Sequence, residues 1–461
     1  MIAPDLLIVG GGIAGLAAAS TAQSLGLAVT LADERPAPGG NILAGIATSA
    51  GTSDPALTRR GADLIATLRT VDFRPATQAL RIDADLSTQL VSGTGPVETL
   101  HPRRLLLATG AMERPVPLSG ATLPGVMMAG AAQLQWKTTG ALPSGRVVLA
   151  GSGPLLLLVA RQLLDAGAPP AALVETTPAP GLSATLATLP AARHAPGLVA
   201  QGMAMMLALR RAGVPWYRHA RAVAIEGRDR AEGLRFRDAQ DIPRLLPADL
   251  VLLHDGVLPN DQASRMAGCP EEWHAGRRAY QPRADDWGET GRAGLFVAGD
   301  CAGIRGALAA EQAGVMAALQ VARQLDCIDE ARRDALARTP RRVRDRQAAF
   351  RPFIEARFPP RLAEPAAAED GRVICRCEGV TAGALRAAIR QGATGADQLK
   401  SFTRCGMGSC QGRGCSQAMV EIIAAETGAA MRDLRRQGVR APLKPVPLGQ
   451  IAGLLSGEDE A

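Results

Sequence analysis

The amino-acid sequence predicts an α/β fold. It consists of a Rossmann-like dinucleotide-binding domain, a second nucleotide-binding-like domain inserted into it, and a small, mainly helical cysteine module at the C-terminal end. Three observations predict it: the glycine turn of DLLIVGGGIAGLAAA, its imperfect repeat in GRVVLAGSGPLLLLVARQLLDAG, and the cysteines of VICRCEGVT and RCGMGSCQGRGC. A chain of 461 residues is too long for one ordinary core, and length alone suggests about three domains.

In the first turn, Gly10, Gly12 and Gly15 follow an apolar run and open an Ala-rich helix, the context that gives GxGxxG its meaning. Gly10 permits the tight turn, Gly12 lets a pyrophosphate approach the backbone, and Gly15 lets helix and strand pack closely. The helix N-terminus then faces the phosphates. A second apolar run, LAVTLADE, ends in Asp33 at the distance expected for a ribose-binding acid, with Glu34 as the next candidate.

The repeat carries Gly151 and Gly153, but Leu156 stands where the third glycine belongs, and AALVE supplies Glu175 as a ribose acid. A leucine there is expected to hold the helix off the strand without removing the N–H groups that bind a pyrophosphate. The second domain is therefore expected, while its nucleotide, NAD(P) or ATP, stays open. ADLVLLHDGVLPN reads as its last strand, returning the chain to the first domain. The boundaries read as 1–118 for the first part of the dinucleotide domain, 119–284 for the insertion and 285–330 for the return. A helix and linker follow over 331–370, then the cysteine module over 371–440 and a tail over 441–461.

Within the module, Cys375 and Cys377 form C-x-C, and Cys410 and Cys415 form C-x4-C. Structural zinc sites mostly draw ligand pairs from C-x2-4-C spacing. The glycines at 406, 408, 412 and 414 would let backbone N–H groups approach the sulfides of an iron–sulfur cluster. A 2Fe-2S cluster is the reading these residues favour, with zinc as the alternative. Cys405 is either a spare thiol or a competitor for Cys410.

Composition narrows the class. With 47% hydrophobic and 21% charged residues the chain reads as a globular protein, and no apolar stretch reaches membrane-spanning length. Met1 leads directly into the first strand, so a cytoplasmic location is expected, where clustered thiols stay reduced. The net charge of +7 comes almost wholly from Arg interspersed with acids and alanines, and aromatics are only 3%, too few for nucleic-acid stacking platforms. No catalytic residue is assigned. No C-x-x-C follows the first domain, and of the five histidines only His254, at a strand end, has a suggestive position; a structural role is expected for it. Cys269, Cys301 and Cys327 read as small residues in or near cores, with Cys301 notable for following Asp300.

Two further strands break at Thr109–Gly110 in RRLLLATGAMERP and at Gly299–Asp300 in GLFVAGDCAG. Together with the turn PAPGGN, which holds Gly39, Gly40 and Asn41, they resemble the two-dinucleotide-domain flavoproteins. That resemblance implies FAD at the first site, with Asp300 on its ribitol and the Gly40–Asn41 and Thr109–Gly110 turns beside it. Along nearly the whole chain, GGGIAGLAAA, DERPAPGG, LLLATGAMERPVPLSG, VAGDCAGIRG, CRCEGVT and GMGSCQGRGC resemble one group. It comprises the alpha, or A, subunits of bacterial heteromeric opine, hydroxyproline and proline dehydrogenases, and the similar B subunit of hydrogen cyanide synthase. The module is similar to the bacterioferritin-associated-ferredoxin-like (BFD-like) 2Fe-2S domain. Relatives commonly have a small non-thiol residue at Cys405, so the resemblance assigns the cluster to Cys375, Cys377, Cys410 and Cys415.

The resemblance implies an oxidoreductase subunit that relays electrons. Amine oxidation would occur at the flavin of an amino-acid-oxidase-like partner, and a small additional iron–sulfur subunit could join them. Two other classes use the same motifs: a self-sufficient NAD(P)H-dependent flavin and iron–sulfur reductase, and a structural scaffold. Leu156 argues against the reductase and Glu175 for it.

Overall fold

The computed structural model describes residues 3–45, 55–93, 95–179, 182–362 and 364–455. Two five-stranded parallel sheets organise the α/β part. The first runs Leu295–Val297, Arg104–Leu107, Leu6–Val9, Val29–Ala32, Asp72–Arg74, with Ile8 aligned between Leu31 and Leu106. Strands Leu6–Val9 and Leu295–Val297 are apolar without alternation because both faces are covered, whereas the edge strand Asp72–Arg74 is polar. Leu6 and Ile8 pack with Leu16, Phe296 and Leu319 on one face, while Leu7 and Val9 pack with Leu105, Leu295 and Val297 on the other.

Helix Ile13–Ser24 leaves the first strand and lies on helix Ala307–Gln324. Small residues set that approach: a Cβ at Gly314 would stand 2.0 Å from the Ala14 carbonyl oxygen.

The second sheet runs Trp216–Tyr217, Ala172–Glu175, Val147–Ser152, Leu250–Asp255, Val126–Met128. An antiparallel pair, Ala111–Glu113 with Val257–Pro259, carries the chain out of the first domain and back. The return was expected at residue 285, but Ala263, Ala267 and Cys269 already pack into the first sheet's core, so the chain re-enters just after Val257. Val257–Pro259 falls at the end of ADLVLLHDGVLPN, the run read as returning the chain to the first domain.

Helix Glu330–Arg357 follows, its first turn capped by Asp329 accepting from the Arg332 N–H at 2.7 Å. The turn Pro365–Ala367 precedes the cysteine module, in which the hairpin Val373–Cys375 and Val380–Thr381 precedes helices Ala382–Arg390, Ala396–Thr403 and Ser416–Thr427. Leu385, Leu399, Met419 and Ile422 form its core. Among the contacts that bind it to the rest, Arg278 pairs with Glu421 at 2.7 Å, and the Tyr280 hydroxyl donates to the Met431 carbonyl at 2.7 Å. Among the described residues, no helix is long and apolar enough to cross a membrane.

Candidate functional site: a dinucleotide cradle joined to a thiol cluster

Four of the segments expected at the first nucleotide follow the C-terminal ends of strands in one parallel sheet. Gly10 follows Val9, Asp33 follows Ala32, Thr109–Gly110 lies just beyond Leu107, and Gly299–Asp300 lies just beyond Val297. That edge is where open α/β sheets receive ligands.

Gly10 turns with φ +112°, and a Cβ at Gly15 would lie 1.9 Å from the Gly10 carbonyl oxygen, so Gly15 is required for packing. Gly12 differs. It caps the helix with extended backbone, and a Cβ there would meet nothing within 4 Å. The open space over the helix N-terminus fits a pyrophosphate.

Asp33 is buried, and its carboxylate accepts from the N–H groups of Gly11 and Arg35. It thereby fixes the turn from behind. Glu34 is instead exposed and ion-paired with Lys444 of the tail. Gly40 lies against Gly12, its Cβ position 3.0 Å from the Gly12 Cα, while the Asn41 side chain accepts from Arg35. Thr109 Oγ1 donates to the Asn260 carbonyl at 2.6 Å, and Asp300 Oδ1 accepts from the N–H groups of Arg305 and Gly306. The structure therefore brings these segments around one edge, with Glu34 turned to the tail. Cys301, beside Asp300, is buried and donates to the carbonyls of Leu107 and Ala298, and burial pushes its thiol up. Cys269 is buried too, whereas Cys327 is exposed, contrary to the expectation of a core or near-core position.

In the second domain, Gly151 and Gly153 take φ +137° and +129°, and Gly153 faces the His254 ring. His254 is buried, and its Nδ1 lies 2.7 Å from a Glu113 carboxylate oxygen. Leu156 is buried with Val147, Leu149 and Leu173. The candidate ribose acid Glu175 already accepts from the Trp216 indole N–H at 3.1 Å.

Five thiols converge in the cysteine module. The Sγ atoms of Cys375, Cys405 and Cys415 all lie within 4.8 Å of one another and are buried, and Cys377 pairs with Cys410 on the more exposed side. Sequence reasoning set Cys405 aside; the structure places it among the thiols. Hydrogen bonds from Cys405 and Cys415, followed by backbone N–H groups of Gly406 and Glu378, draw the Cys375 thiol down to about 2. The same contact with Cys375 pushes Cys405 up to about 12 and Cys415 upward. Burial raises Cys410, opposed by the N–H groups of Gly414 and Gly412.

The loop closes tightly on these thiols: a Cβ at Gly408 would lie 2.2 Å from the Cys377 Cβ. Gln437 is wedged against Gly406 and Gly412, buried, and neither of its polar side-chain atoms has a hydrogen-bond partner among the described residues. Converging thiols, amides aimed at sulfur and an orphaned carboxamide all fit an iron–sulfur cluster.

A short segment ties the two regions together. Asn260 Nδ2 donates to the Thr109 carbonyl at 3.2 Å, and two residues on, Gln262 Nε2 donates to the Gln411 carbonyl in the cysteine loop at 2.6 Å. Neither residue was a sequence candidate, and no local pattern marks them.

Comparison with known proteins agrees with this division. Residues 4–324 match the family described as pyridine nucleotide-disulphide oxidoreductase, and residues 373–425 match the BFD-like [2Fe-2S] binding domain. The chain is 39% identical to the A subunit of opine oxidase from Agrobacterium tumefaciens (strain Ach5), covering 98% of this chain and 92% of that one. It is 33% identical to the hydrogen cyanide synthase subunit HcnB of Pseudomonas aeruginosa, covering 97% and 98%. Its fold matches the crystal structure of L-proline dehydrogenase from P. horikoshii with TM-score 0.70 at 20% identity, over 98% of this chain and 79% of that one.

Proposed function

Because the chain belongs to the family of the opine oxidase A subunits, within the pyridine nucleotide-disulphide oxidoreductases, we propose that it is the electron-transfer subunit of a heteromeric dehydrogenase. The substrate class is an opine or a cyclic amino acid such as proline or hydroxyproline, oxidised on a partner flavoprotein subunit. Glycine, the hydrogen cyanide synthase alternative, ranks behind it because identity to the opine oxidase relative is higher. A cytoplasmic setting suits the reduced thiols.

The carrying observation is the Asn260–Gln262 segment, which ties the turn beside the dinucleotide cradle to the cysteine loop within one chain. FAD, when bound, exchanges electrons in pairs or singly, and a 2Fe-2S cluster carries one, so their pairing suits a two-to-one converter. Gly12 leaves room for the pyrophosphate, Asp33 braces the turn, Gly40 and Asn41 lie beside Gly12 and Arg35, and Thr109, Gly110, Gly299 and Asp300 line the strand ends that would flank the cofactor. Cys375, Cys377, Cys410 and Cys415 are the proposed cluster ligands. Burial of the inner thiols and closure of the glycine loop would exclude water from the cluster's inner side. Flavin, iron and sulfide analysis of the anaerobically purified chain tests this equipment. FAD together with two irons and two sulfides supports the reading, and zinc in place of iron refutes it.

A further inference from the structure

The cluster reading just given, on which this inference rests, consumes four thiolates, yet five thiols converge. A two-iron cluster offers each tetrahedral iron two bridging sulfides and two protein thiolates, so its ligands come in two pairs. Cys377 and Cys410 are paired on the more exposed side. The inner side holds three thiols where a pair suffices. Cys405 is 0% exposed, Cys375 and Cys415 are 1% exposed, and all three Sγ atoms stand within 4.8 Å of one another. Nothing in that geometry singles out Cys405 as the spare.

All three are held by regular structure. Cys375 ends the strand Val373–Cys375, Cys415 caps the helix Ser416–Thr427, and Cys405 sits one residue past the left-handed Arg404 that closes the helix Ala396–Thr403. The Cys405 N–H donates to Thr403 Oγ1 at 3.2 Å, and its side chain belongs to the same core as Leu399 and Met419. No loop movement is needed to bring any of the three thiols to the inner position.

We propose that the inner iron position is built from any two of Cys375, Cys405 and Cys415, the third being a reserve ligand that replaces a lost or displaced thiolate. The exchange is balanced without an oxidant. The iron bond to the Cys415 sulfur breaks, the bond to the Cys405 sulfur forms, and the Cys405 proton passes to the departing thiolate. No electron changes hands. The outer pair has no reserve, so the two sides of the cluster should respond differently to the same substitution.

The test uses the full chain purified anaerobically, with iron and sulfide content, electron paramagnetic resonance of the reduced protein, and flavin absorbance as the reporter of folding. Alanine is the substitute, because serine oxygen can itself ligate iron. Cys405→Ala and Cys415→Ala should each keep the wild-type iron and sulfide, Cys415→Ala with a changed resonance spectrum. Cys410→Ala, and Cys405→Ala combined with Cys415→Ala, should lose them. Loss of the cluster from Cys415→Ala with flavin retained overturns the proposal, as does its retention in Cys405→Ala/Cys415→Ala. If Cys415→Ala fails to keep flavin, Cys375→Ala puts the same question: cluster kept supports the reserve, and cluster lost with flavin kept overturns it. A wild-type chain without iron overturns the underlying cluster reading instead, so the two failures are distinguishable.

Discussion

Gln262 and Gln411 join the two redox regions: the Gln262 carboxamide donates to the Gln411 carbonyl at 2.6 Å, two residues after Asn260 accepts from Thr109. The turn beside the dinucleotide cradle and the cysteine loop therefore share a hydrogen-bonded spacer. Gln262→Ala removes the donor and should cost about 1 kcal/mol, the usual net value of one such bond. It should leave flavin content unchanged and speed the loss of iron to a chelator, followed by absorbance. An unchanged rate would show that the spacer does not secure the loop.

Gly12 and Gly15 should fail in different ways. A methyl at Gly12 meets nothing in the protein but occupies the cradle, so Gly12→Ala should keep the thermal transition and weaken FAD binding about tenfold or more, worth ~1.4 kcal/mol. A methyl at Gly15 would lie 1.9 Å from the Gly10 carbonyl oxygen, so Gly15→Ala should lower stability as well as flavin. Calorimetry beside flavin titration separates the two. An FAD affinity in Gly12→Ala equal to that of the wild type would refute the cradle.

Cys301 should be chemically silent. Its thiol is buried and hydrogen-bonded to the carbonyls of Leu107 and Ala298. Cys301→Ala should leave flavin content and flavin redox potential unchanged, with destabilisation of about 1 kcal/mol from the lost bond. A shifted flavin potential in that variant would give Cys301 a redox role.

The glycine turn was legible because its requirements lie within a few residues: Gly10, Gly12 and Gly15 meet within one strand–turn–helix unit, and each following strand end carries its own break. The thiols were legible as a set but not in their grouping. Spacing favoured Cys375, Cys377, Cys410 and Cys415, whereas packing at a helix end, which spacing does not encode, brings Cys405 to Cys375 and Cys415. Asn260 and Gln262 were invisible because their partners lie 151 and 149 positions away and neither bond leaves a local pattern. Gln437 was hidden likewise, since only the fold lays it against Gly406 and Gly412. Glu175 read as a ribose acid from its strand-end position, but the Trp216 indole already uses its carboxylate.

The relay is tested most directly by rapid mixing of the flavin- and iron-loaded chain with an opine or cyclic amino acid, with and without its cognate oxidase-like partner, while the chain's own flavin absorbance is followed. The account predicts no substrate-dependent reduction of the isolated chain and reduction at a rate matching turnover once the partner is present. Oxidation of the substrate by the isolated chain at the assembled rate would contradict it, and rapid stoichiometric reduction by NADH or NADPH alone would point to a self-sufficient reductase instead.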